Sequence, residues 1–282
     1  MLSAQAPAKV NLGLHVLRRR GDGFHDLATA FLPIGWADTL TAAPAAHLSL
    51  STDDPRLPTD GSNLVIRAAR ALADWAGVEP HAALTLEKRI PYGAGLGGGS
   101  SDAASTLRLL CDLWGLEVTD PDRRQLALEL GSDVPFFLDP QASIGTGRGE
   151  QLAPLVDASG APWRCPFWLV VAVPTVHVPT ADAFRLVAPA EGGRPDLAAA
   201  VVSNDLARWR SELTNDFQEP VERAHPRIAE VREALLSGGA GWAALSGSGA
   251  AVVGVFEAPG PATKTADALS GVCRVWVEEP HR

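Results

Sequence analysis

Cysteine is scarce in this chain. Cys111, Cys165 and Cys273 are the only three, an odd number set far apart. No CxxC and no Cys/His cluster occurs, so neither a disulfide framework nor a zinc site is indicated, and a reduced cytoplasm is the expected compartment. Positive charge is short as well: 24 Lys and Arg against 33 Asp and Glu leave a formal net charge of −9 and a pI near 5.2. That balance argues against a protein that grips nucleic acid through a broad basic face. A small phosphorylated ligand, which needs only local positive groups, stays compatible with it. Long apolar runs are missing too. The longest, around Phe167 to Val173, is far too short to span a bilayer and reads as a buried strand. The N-terminal stretch has no apolar core behind a basic start, so no secretory leader is expected. GxSxG and Ser-His-Asp spacings are absent, and nothing indicates a covalent nucleophile.

What the chain does have is an ordinary globular balance, 46% hydrophobic and 20% charged over 282 residues, enough for two domains or one large one. Its least ordinary stretch is Pro91-Tyr92-Gly93-Ala94-Gly95-Leu96-Gly97-Gly98-Gly99-Ser100-Ser101. Glycine packs nothing and costs chain entropy, so such a run needs a reason. It frees backbone to take positive φ, and lets amides converge on an anion at a helix N-terminus. A phosphate cradle is the first expectation, with Ser100 or Ser101 as N-cap. Gly93 to Gly98 also matches GxGxxG. A dinucleotide site needs a second strand ending in an acid about 20 residues on. Val118 to Asp122 reads instead as turn and helix start. The Walker A lysine is missing as well.

Along the chain, Val10, Leu12, Leu14 and Val16 alternate with Lys9, Asn11, Gly13 and His15. This predicts a strand with Lys9 and Asn11 on its polar face. Arg18 to Gly23 reads as a hairpin connection and Phe24 to Trp36 as the returning strand. Ser62-Asn63 opens a helix that Gly77 ends. A strand over 84–90 leads into the glycine run, and an apolar helix face follows it through Ala103, Ala104, Leu107, Leu110, Cys111 and Trp114. Another helix opens at Pro121 and ends at Gly131. Gly145 to Gly149 reads as a turn. Residues 157–166 have linker composition, which divides the chain into 1–156 and 157–282, with the last strand free to return to the first part. A polar linker is expected from Glu191 to Pro195. Helices near 180–187, 204–210, 226–237 and 261–270, and strands at 167–173, 242–245, 250–256 and 273–277, complete the second part. Strands and helices that do not alternate strictly suggest an α+β sandwich. Lys9, taken alone, is equally a solvated lysine, and Asp133 a capping or ion-paired carboxylate. Paired, a lysine beside an aspartate keeps the acid ionised and lowers the pKa of a nearby hydroxyl.

Three motifs in order, Pro7 to Leu12, Pro91 to Ser101 and Leu245 to Ala250, resemble the GHMP kinase superfamily. Gly21 to His25, Gly131 to Phe136, Pro179-Thr180 and Thr214 to Asp216 resemble, within it, the branch acting on a cytidine diphosphate-linked methylerythritol in non-mevalonate isoprenoid synthesis. The resemblance implies a two-domain α+β fold, with an N-terminal domain like domain 2 of ribosomal protein S5 and a ferredoxin-like C-terminal domain. It implies that residues 1–156 bind ATP, that 157–282 form the substrate side, and that the active site lies in the cleft between the halves. Residues 91–101, with Asn63, would hold ATP. Asp133 would take the proton of the substrate hydroxyl and Lys9 would stabilise developing charge. Asn11, Phe24, His25, Phe184, Thr180, Gly247, Ser248 and Gly249 would hold the substrate, with His25 reading cytosine and Phe24 and Phe184 stacking on it. ATP and Mg2+ are the expected co-substrate and ion. The metal ligands stay unassigned. A monomer or weak homodimer, without nucleic acid or membrane partners, is expected. Phe24 stands where the family more often has tyrosine, and Ala181 where it often has proline. Rival readings are a homoserine or phosphomevalonate type of the same superfamily, and a non-catalytic nucleotide-binding module.

Overall fold

The computed structural model describes residues 1–190 and 192–281; Glu191, the expected start of a polar linker, lies outside the described residues. The chain forms two compact units, each assembled from separate segments. The first takes Met1–Ala8, Gly35–Tyr92 and Gly97–Pro140, and the second Lys9–Ile34, Gly93–Leu96 and Gln141–Arg282. Strands β1 (Leu2–Arg19) and β2 (His25–Ala43) pair with each other and each contribute to both units.

In the first unit, β3 (Ser49–Thr52), α1 (Leu64–Ala76), β4 (Ala83–Glu87), α2 (Gly98–Trp114) and α3 (Asp120–Leu130) precede a short 3-10 helix, Pro135–Leu138. The last part of β2 pairs antiparallel with β4, from Thr39 opposite Glu87 to Ala43 opposite Ala83, and β4 pairs parallel with β3. Helix α1 has the ends its sequence predicts. Asn63 Oδ1 accepts from Val65 N, and Gly77 closes the helix at φ 65°, a left-handed conformation that glycine takes without strain. Helix α2 is buried along most of its length, from Ser101 to Leu107 and again at Leu109, Leu110 and Cys111. Helix α1 packs against it, and its Ala103 and Ala104 are fully buried.

In the second unit come β5 (Ser143–Gly147), β6 (Gln151–Pro154), β7 (Trp168–Pro174), α4 (Thr180–Leu186), α5 (Leu197–Val202), α6 (Leu206–Glu212), α7 (Gln218–Ala224), α8 (Pro226–Ser237), β8 (Trp242–Leu245), β9 (Val252–Phe256), α9 (Pro259–Leu269) and β10 (Cys273–Glu278). The first part of β2 pairs with β5, and β5 with β6. A turn was expected at Gly145–Gly149. Most of that stretch is instead half of a hairpin. A Cβ at Gly145 would lie 2.5 Å from the Phe31 ring, so glycine there serves close packing within a strand. The other sheet is antiparallel in the order β10-β7-β9-β8. Numbered within this sheet, that is fourth, first, third, second, with α8 and α9 packed on it. This is the split βαβ arrangement of ferredoxin-like domains, as the resemblance implied.

Beside this sheet, Trp209 on α6 is fully buried, with Phe167, Trp242 and Trp163 around it at ring separations of 5.5, 5.9 and 6.5 Å. Its indole N–H has no acceptor among the described residues. Trp209→Ala should therefore cost about 3–5 kcal/mol of stability in denaturant unfolding. Trp209→Phe should cost less than half of that, because it keeps most of the ring and removes an unpaired donor.

Candidate active site

In the second unit, the strand pattern puts Lys9 and Asn11 on one face, two residues apart, and both are buried. Lys9 Nζ donates to Asn11 Oδ1 at 2.7 Å and to the carbonyl of Gly95 at 2.9 Å, and sits 5.5 Å from the centre of the Phe31 ring. Lys9 N donates to Leu96 O. One lysine thus ties β1 to the glycine run by both its backbone and its side chain. Asn11 Nδ2 donates to Thr29 Oγ1, which donates on to Gly13 O. This chain fixes which end of the amide faces the ammonium.

The turn after β8 meets the same place. Ser246 Oγ accepts from Asn11 N at 3.1 Å. Ala251 N donates to Ala94 O. Asn215 Nδ2 donates to Leu245 O and Gly247 O, which shapes the turn from outside. Gly95 has φ +78°, and a Cβ there would lie 2.4 Å from Ser246 O and 3.0 Å from Gly249 O. Two backbones touch at a point that admits no side chain. Gly247 repeats the constraint at φ +57°, with Gly95 O 3.2 Å from where its Cβ would be. Ser248 Oγ donates to Thr180 Oγ1 at 3.2 Å, so two of the expected substrate residues meet at the start of α4.

His25 stacks on Phe184, with centroids 4.7 Å apart and planes 16° from parallel, and Phe184 meets Phe217 edge-on. Phe24 is half exposed, with the Arg148 guanidinium 4.8 Å from its ring centre.

In the first unit, Pro91 is buried and Tyr92 exposed. Helix α2 starts at Gly98 and its N-cap is Gly97 at φ 71° with no side-chain cap bond. The expectation that Ser100 or Ser101 caps it is therefore corrected. Both lie inside the first turn, and Ser101 N donates to Gly97 O. A left-handed glycine turns the chain into the helix without a side chain over its first amides, which leaves them open to an anion. Ser101 Oγ is buried with no partner among the described residues. Asn63 spends both ends of its amide on local structure, accepting from Val65 N and donating to Pro58 O. Asp133 lies half-buried in the turn between Gly131 and the 3-10 helix, which packs on α2.

A charged cluster under the loop went unnoticed in the sequence. Lys88, just past β4, donates its ammonium to Asp38 Oδ2 and to Asp102 Oδ2, the latter at 2.8 Å. All three side chains are buried. Asp38 Oδ1 accepts from Arg89 N at 2.6 Å and Ile90 N at 2.8 Å. Burial works against the charge on Lys88, yet the attraction of the two carboxylates outweighs it and raises its pKa. Asp102 is pushed up to about 7, by burial first and by Asp38 second, against the pull of Lys88.

The family described as GHMP kinases N terminal domain matches residues 63–139, and that described as GHMP kinases C terminal matches 197–275. This chain belongs to the GHMP kinases. Its relatives include the 4-diphosphocytidyl-2-C-methyl-D-erythritol kinase of Salinibacter ruber, 53% identical over 91% of this chain and 90% of that protein. The same-named protein of Chlorobium luteolum is 44% identical over 91% and 89%. A crystal structure of 4-(cytidine 5'-diphospho)-2C-methyl-D-erythritol kinase matches this GHMP kinase at TM-score 0.82 and 38% identity over the whole of both chains. Homoserine kinase from Cytophaga hutchinsonii shares the fold at TM-score 0.76 and 18% identity, over 99% and 94% of the two chains. No helix of the described residues is long and apolar enough to cross a membrane.

Two outcomes follow for this kinase. Gly95→Ala should lower stability by at least about 1–3 kcal/mol, the cost of a left-handed non-glycine residue, before the clash with Ser246 O is counted; denaturant unfolding measures it. Asp102 binds its proton more tightly folded than unfolded. Its contribution to stability therefore falls as pH rises from about 4 to about 7 and is level above that. Melting curves across this window should show a smaller decline for Asp102→Asn than for the parent.

Proposed function

We propose that this GHMP kinase transfers the γ-phosphoryl group of ATP to the 2-hydroxyl of 4-diphosphocytidyl-2-C-methyl-D-erythritol. The observation that carries the reading is Lys9, a buried ammonium held by Asn11 Oδ1 and by the carbonyl of Gly95 inside the glycine run. A cation held there ties β1 to the glycine run and also puts positive charge beside the loop. Identity of 53% across nine-tenths of the chain to a relative of that name supports the substrate.

Phosphoryl transfer asks the protein mainly to position its substrates and stabilise charge. In this reading the amides of residues 93–99 and the hydroxyls of Ser100 and Ser101 take the ATP phosphates. Asp133 removes the proton of the 2-hydroxyl as its oxygen attacks the γ-phosphorus, and ADP departs with the bridging oxygen. Lys9 offsets the negative charge that grows between them. His25 and Phe184 receive the cytosine with Phe24, and Asn11, Thr180 and Gly247–Gly249 take the erythritol diphosphate side.

A magnesium ion would supply further charge neutralisation on the phosphates. No group of three or more His, Cys, Asp or Glu among the described residues could cage a metal. The unpartnered Ser101 Oγ instead fits a hard, oxygen-seeking ion that arrives with the nucleotide.

Asp133→Asn should bind both substrates nearly as the parent does while turnover falls by at least about 100-fold. Steady-state kinetics that show near-parental turnover would remove Asp133 from the role of base. Turnover with homoserine or phosphomevalonate, and none with the cytidyl alcohol, would replace the substrate.

A further inference from the structure

The glycine run bends sharply, with positive φ at Gly93, Gly95 and Gly97, a conformation that is cheap for glycine. Hydrogen bonds hold its middle at Ala94 O, Gly95 O and Leu96 O. Other contacts must set where the run starts and ends.

The buried ionic cluster of the first unit touches both ends of the run. At the entrance, Asp38 Oδ1 accepts from the consecutive amides of Arg89 and Ile90, directly before Pro91. Trp36, two residues before Asp38 on β2, donates its indole N–H to Arg89 O. At the exit, Asp102 stands one turn into α2, four residues after Gly98 where the helix begins. The Lys88 ammonium joins the two carboxylates. Gly98 lies against the same lysine, with Nζ 3.4 Å and Ile90 Cγ2 3.1 Å from where its Cβ would be. Entrance and exit are thus fixed to one cation.

The cluster is expensive. Three ionisable groups leave water, and Asp102 Oδ1 has no partner among the described residues. An apolar core of the same volume is often as stable as a buried ion pair or more so, which makes such a pair weak evidence for stability alone. Its directional bonds specify geometry, and the geometry specified here is the span of the loop.

We infer that Asp38, Lys88 and Asp102 form a clamp that sets the opening of the nucleotide loop, with Asp102 as a positioning residue for ATP. The clamp rests on the kinase reading above for its ligand. Asp102 acts through Lys88 and the start of α2, and touches no substrate.

The test compares Asp102→Ala, which cuts the tie, with Asp102→Asn, whose amide oxygen can still accept from Lys88. Asp102→Ala is expected to raise KM for ATP, and Kd for a non-hydrolysable ATP analogue, by about 10-fold or more, the scale on which a small misplacement of a binding group acts. KM for the cytidyl alcohol should stay within about twofold, and Asp102→Asn should restore the ATP values to within about threefold. Unchanged ATP constants in Asp102→Ala overturn the clamp. So does an equal rise in both KM values, or an Asn variant as weak as the Ala variant. Should Asp102→Ala fail to fold, Asp102→Glu displaces the same charge by one methylene. A selective loss of ATP analogue affinity then supports the clamp, and unchanged affinity overturns it. Parent enzyme that binds the analogue without turning over the cytidyl alcohol would sink the substrate reading and leave the analogue comparison to judge the clamp.

Discussion

The arrangement depends on two backbones coming closer than any side chain allows. Gly95 and the Ser246–Gly249 turn approach until a single Cβ would collide with carbonyl oxygens on the other strand. That contact brings the Gly95 carbonyl to the Lys9 ammonium and puts Ser246 Oγ on Asn11 N. Segments more than 150 residues apart in sequence are thereby fixed around one amino group. Each contact is an ordinary hydrogen bond, worth about 1 kcal/mol net. Their joint effect is to leave Lys9 a single position, and a pre-placed charge stabilises a developing one without reorganisation.

Much of this was legible before the structure, and the legible parts share a cause. Alternation put Lys9 and Asn11 on one face of β1 because the strand period is two. Asn63 and Gly77 bracketed α1 because caps are chemical signatures of single residues. Ser246-Gly247-Ser248-Gly249 between two apolar runs marked the β8–β9 connection. In each case the decisive interaction is local, so neighbouring residues report it.

The failures have the opposite cause. The Gly145–Gly149 stretch carries turn chemistry, yet only its end turns: residues 145–147 run as strand paired with β2, and Phe31, over 100 residues earlier, packs where a Cβ at Gly145 would lie. Ser100 and Ser101 have the composition of N-caps, but the left-handed Gly97 ends the loop three residues sooner. The ionic cluster was invisible because Asp38 lies two residues past the strand expected to end at Trp36, Lys88 inside the strand expected over 84–90 and Asp102 near a helix start. Each looks solvated alone. The available hint was an aspartate among small residues, Ser-Ser-Asp-Ala-Ala, in a helix that is buried from Ser101 to Leu107. His25 and Phe184 had been placed in one substrate site, but their mutual stacking depends on α4 and could not be read from spacing.

The crossing of β1 and β2 between units has a consequence for how this chain can be inherited. Each unit is gathered from three stretches of sequence, and the two long strands supply residues to both. No single cut in the gene releases either unit intact. The matched segments 63–139 and 197–275 lack β2 and β7 respectively, the partners of β4 and of β9 and β10, and so each would leave sheet edges without partners. Recombination can exchange modules that begin and end at one linker. Here neither unit begins and ends at one linker, so the two units cannot be exchanged singly and are inherited together within one reading frame.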